Sequence, residues 1–145
     1  MKTLKTAGFF IILCSLLTLN PLITQADVPA DVYSTLEQMT LAMNEFSDSM
    51  ESDPGLGAMP EIVEKLAETI ETIGKEMVTI YKDQQELFMN PPADAEKIIA
   101  EHQEALARYE EALQQAVRFA NDNMDEEEFQ ASFERLNRAI YDMYR

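Results

Sequence analysis

Apolar residues recur along this chain at helical intervals. Val32, Leu36, Met39, Met43, Phe46 and Met50 are spaced 4, 3, 4, 3 and 4 apart, which predicts one apolar stripe on an α-helix. Either Asp31 caps this helix, or Ser34 and Glu37 form a capping box. The stretch SDPGLGAMP then breaks it with two glycines and two prolines. Pro60 suits the first position of a second helix, where its missing amide costs nothing. Val63, Leu66, Ile70, Ile73, Met77 and Ile80 carry that helix's stripe, and Gln84 interrupts the pattern before Leu87 and Phe88.

The run NPP ends the second helix and opens a third. Its seam is Ala95, Ile98, His102, Ala105, Tyr109, Ala112 and Ala116, widened by Ile99, Leu106, Leu113 and Val117. The fourth helix has the clearest start. Asp125 is placed to cap it, Glu128 to complete a capping box, and Met124 to staple onto Phe129. Phe129, Phe133, Leu136, Ile140 and Met143 form the stripe, with Arg135, Arg138 and Arg145 toward the negative end of the helix dipole. No segment alternates with period 2, and no internal repeat is present. Short connections favour antiparallel neighbours. The expected fold is therefore all-α, an antiparallel up-down-up-down four-helix bundle. The prolines at 54, 60, 91 and 92 argue against one long coiled coil.

The first residues stand apart from this pattern. Lys2 and Lys5 precede the apolar run AGFFIILCSLLTL, and Thr24 and Ala26 occupy the −3 and −1 positions of a small-residue cleavage site. Residues 1–26 are thus expected to be a cleaved secretory signal peptide, and 27–145 the mature domain. Lipidation at Cys14 is a weaker reading, because Leu13 stands where a small residue is needed. Removal of the peptide takes the only cysteine with it. That excludes a disulfide, a thiolate metal site and a cysteine nucleophile in the mature chain. A bacterial periplasm is the expected compartment.

Charge narrows the partners. All 27 acidic residues lie after residue 26, with nine of the 11 basic ones, leaving a formal charge of about −18 on the mature chain. Such a surface repels nucleic acid and anionic lipid and favours basic partners. No hydrolase, kinase, nucleotide-binding or zinc motif is present, so no enzyme activity is expected. The helix-one methionines read first as flexible core filler, and second as thioether ligands for haem iron or Cu(I). His102, the only histidine, reads as a core or boundary residue, with metal or haem ligation as the alternative.

Two stretches resemble the soluble cytochrome b562 family, periplasmic four-helix bundles that hold one haem b. ALQQAVRFAND followed by LNRAIYDMYR looks like the end of that family's third helix and its fourth helix, and ADVYSTLEQMTLAMNEF is similar to its first. The resemblance implies a haem b electron carrier with a redox partner, as a monomer or weak dimer. It also implies iron ligands at two places: a methionine near the start of helix one and a histidine four residues before the terminal arginine. In this chain Leu36 and Tyr141 stand at those places. Tyrosine binds ferric haem as a phenolate, whereas an unperturbed phenol has a pKa near 10 and acidic surroundings raise it. Met39 and His102 are the alternative pair, each roughly 12–14 Å along its helix at ~1.5 Å per residue. Two functions therefore compete: a cytochrome b562-like electron carrier with ligands lost or rearranged, and a haem-free helical binding or structural module.

Overall fold

A computed structural model describes residues 29–145, and the expected signal peptide, with Thr24, Ala26 and Cys14, lies outside the described residues. The described chain is all-helical: α1 (Ala30–Glu51), α2 (Met59–Asp83), α3 (Gln85–Met89), α4 (Glu96–Asp122) and α5 (Glu127–Met143). The four long helices carry the four predicted stripes. Val32, Leu36, Met39, Met43, Phe46 and Met50 are all buried, as are Val63, Leu66, Ile70, Ile73, Met77 and Ile80. Met39, Met43 and Met50 of α1 are buried in the core.

Gln84 does more than interrupt a stripe. Its backbone leaves the helix at φ −116° and ψ 38° while its amide still bonds to the Ile80 carbonyl at 2.8 Å. The chain restarts as the five-residue α3, which turns Leu87 and Phe88 into the core. Gln103 of α4 ties this short helix down, its side-chain amide donating to the Phe88 carbonyl at 3.4 Å.

Helix starts depart from the sequence reading. Asp31 lies in the first turn of α1 and accepts only from the adjacent Val32 amide, and Ser34 pairs with Gln38 inside the helix. Pro60 is the second residue of α2. At α5 the residue before the helix is Glu126, with no side-chain cap bond, so Asp125 is not the cap. Met124 is 72% exposed and staples nothing, while Phe129 is buried. The turn is closed instead by Gln130, whose side-chain amide donates to the Ala120 and Asn123 carbonyls at 2.9 and 3.1 Å. Those carbonyls belong to the end of α4, so one glutamine holds both helices of the hairpin.

Contacts across the assembly give the directions of the helices. Thr35–Glu76 and Glu45–Lys65 make α1 and α2 antiparallel. Thr40–His102 with Asp48–Arg108 makes α1 and α4 parallel, and Glu64–Ser132 with Gly74–Met143 makes α2 and α5 parallel, so α4 and α5 also run antiparallel. The heaviest packing, however, joins helices that run the same way, α2 with α5 and α1 with α4. Successive helices were expected to be the closest neighbours. Small residues reverse that order, since they let the alternate helices approach. Gly74 is the sharpest case: a Cβ there would sit 3.0 Å from the Met143 Cβ. Buried Ala67, Ser132 and Ala139 share this seam's two helices, and buried Ala105, Ala112, Ala116 and Ser47 those of α1 and α4.

Ion pairs stitch the same two seams at the surface. Arg108 reaches from α4 to Asp48 and Glu51 of α1. Arg135 forms a two-pronged bond with Glu71 of α2, at 3.1 and 2.8 Å. Arg135 therefore serves a helix–helix contact, not the end of its own helix. Both arginines are partly exposed, so water and salt screen these pairs and they add little to stability.

Candidate functional site

The starts of α1 and α4 meet the ends of α2 and α5 at one end of the molecule, where the core turns polar. His102, on the α4 seam, is 1% exposed and held on both sides of its ring. Its Nδ1 lies 2.8 Å from the Thr40 hydroxyl of α1, and its Nε2 lies 2.5 Å from the Tyr81 hydroxyl of α2. With its proton on Nδ1 the ring donates to Thr40 and accepts from Tyr81 at Nε2, and the other tautomer reverses both roles.

Aromatic rings close around the pair. Phe88 of α3 lies 5.0 Å from the Tyr81 ring and 6.2 Å from His102, centroid to centroid. Burial keeps the imidazole neutral, lowering its pKa to about 4 against the small opposing effect of the Leu36 carbonyl. Burial likewise raises the Tyr81 and Tyr109 phenols well above their ordinary value, with a smaller contribution from Tyr144. Tyr144 is itself pushed up to about 12 by burial.

The expected ligand positions are distributed as follows. Leu36 is 0% exposed in the core, whereas Tyr141 is 67% exposed on the surface of α5. The pair matched to haem ligands is thus split between interior and solvent, and Leu36 has no donor atom. Met39 is buried one residue before Thr40. His102 is also buried, but both its nitrogens already have partners. Ligation through His102 would require breaking the Tyr81 or the Thr40 bond inside the core, at roughly 1–3 kcal/mol for the group left unpaired. These residues do not fit a b-type haem.

A surface groove lies between α1 and α2, floored by Phe46, Ile62 and Leu66 and bordered by the Glu45–Lys65 pair. Its volume of about 220 Å³ is below the ~300–1,000 Å³ of ordinary ligand clefts. Among the described residues no group of acidic, histidine or cysteine side chains is arranged to hold a metal ion, and no helix is long and apolar enough to cross a membrane.

Sequence reasoning located His102 on a seam but missed Tyr81, Thr40 and Phe88. Thr40 stands four residues after Leu36, and Tyr81 directly follows the stripe residue Ile80. Both sit one step off the apolar stripe, where a hydroxyl ordinarily faces water. No family model, no curated protein and no solved structure matches the chain.

Proposed function

We propose that the mature chain is an exported, haem-free four-helix bundle of the cytochrome b562 type, acting as a binding or structural module in the periplasm. The observation that carries this reading is the filled His102 site, where Thr40 and Tyr81 take both ring nitrogens. Protein side chains thus do at this end of the core what a cofactor would otherwise do. The surface charge of the mature chain, about −18 from the residue counts, favours a basic partner and opposes tight self-association. A monomer or weak dimer follows from that repulsion.

Haemin titration into the purified protein tests the reading. Wild type is expected to show no new Soret band, and Tyr141→His alone to add no tight binding, because position 141 faces solvent. The electron-carrier reading makes a different forecast. If wild type gives a Soret band that His102→Ala abolishes and Tyr141→Phe leaves intact, Met39 and His102 hold iron and the haem-free module is wrong.

A further inference from the structure

We propose that Tyr81 and His102 form a proton-coupled redox pair, in which Tyr81 gives one electron to a high-potential one-electron oxidant and its phenolic proton to His102 Nε2. The inference stands on the geometry of the pair and rests on the haem-free reading, since a His102 bound to iron could not keep both partners.

A phenol that loses an electron while keeping its proton becomes a very strong acid. Oxidation is easier when a base already lies on the O–H axis, so that proton and electron leave together. The Tyr81 hydroxyl has such a base at 2.5 Å. With the imidazole proton on Nδ1, facing Thr40, Nε2 has a lone pair to take the Tyr81 proton. The step balances within the site: the Tyr81 O–H bond breaks, an N–H bond forms at Nε2, and the oxidant is reduced by one electron. The products are a neutral phenoxyl and an imidazolium. The imidazolium's Nδ1–H keeps the acceptors it had, and its new Nε2–H donates back to the phenoxyl oxygen. Return of one electron reverses both transfers.

Burial disfavours the imidazolium, as the lowered pKa of His102 indicates. The proton still moves, since an oxidised phenol is a far stronger acid than an imidazolium. Partial burial of Tyr81 limits the contact of the phenoxyl with water. His102 is almost inaccessible, and Phe88 packs on the Tyr81 ring.

The chain offers a clean test because His102 is its only histidine. The full protein is labelled with ¹⁵N-histidine, oxidised with photogenerated tris(bipyridine)ruthenium(III), and frozen. The expected result is a tyrosyl radical whose electron–nuclear double resonance spectrum shows coupling to a ¹⁵N–H donor. Tyr81→Phe is expected to remove that coupled radical. His102→Gln keeps a hydrogen-bond acceptor but no base, and is expected to slow Tyr81 oxidation about a hundredfold, the scale of a lost general base. A wild-type radical without ¹⁵N coupling overturns the proposal, as does a coupled radical that persists in Tyr81→Phe. The wild-type spectrum decides the matter even if His102→Gln fails to fold.

Discussion

The two ends of the helical assembly are built on different physics. At the end where α4 turns into α5, the core is a run of rings. Phe119 meets Phe129 edge-on at 5.4 Å, and Phe129 lies 6.0 Å from Phe133. Met50 and Met59 are buried at that same end. At the other end His102, Tyr81 and Thr40 replace part of the apolar filling with directed hydrogen bonds. Apolar packing is non-directional and tolerates small shifts, with its loss scaling with the volume removed. A buried polar cluster is all-or-nothing, because each unmade bond leaves a desolvated group behind. Stability at the ring end should therefore fall in proportion to the volume removed, whereas at the polar end it should depend on each hydrogen bond being made.

The largest expected effect separates the ends by size. Phe129→Ala should cost about 3–5 kcal/mol, as for a large ring removed from a full core. His102→Leu, which removes the bonds but fills the space, should cost about 1–3 kcal/mol. Urea unfolding midpoints measure both, and a larger loss for His102→Leu would reverse the ranking of the two ends.

Acid should reach the polar end by a specific route. His102 has a pKa of about 4 when folded against about 6.5 unfolded. Between those values the unfolded chain binds a proton that the folded chain does not. The stability from the neutral imidazole is complete above about pH 6.5 and is lost as pH falls toward 4, by up to about 3 kcal/mol. His102→Leu should lack this slope. Unfolding of both proteins at pH 7, 5.5 and 4 isolates the difference from the titration of surface carboxylates, which the two share. Parallel pH profiles would show that His102 is not the group responsible.

The smallest effect concerns the turn at the ring end. Gln130→Ala should cost about 1 kcal/mol through loss of its two bonds to the end of α4. Asp125→Ala should change stability by less than about 0.5 kcal/mol, as for an exposed residue that caps nothing. Equal losses in the two variants would restore Asp125 as the start of α5.

The sequence by itself determined the helices and their buried faces. The 3/4 spacing of Val32 through Met50 and of Val63 through Ile80 reports a local periodicity that any helix must obey. The breaks at SDPGLGAMP and NPP rest on backbone sterics that act within a few residues. Placing His102 on a seam was legible for the same reason. Tertiary structure alone decided the rest. Which helices lie closest depends on the fit of facing surfaces, and Gly74 against Met143 is invisible to any count along one helix. Tyr81 and Thr40 read as residues beside a stripe until three helices bring their hydroxyls to opposite sides of one imidazole. Asp125 had the right residue type for a cap, but the helix starts one residue later, and Gln130 holds the turn by donating to carbonyls at the end of α4. Likewise Leu36 and Tyr141 stood where a resemblance of sequence implied a ligand pair, yet one is buried and the other faces solvent. Periodicity is a property of a helix, and a site is a property of the distances between helices.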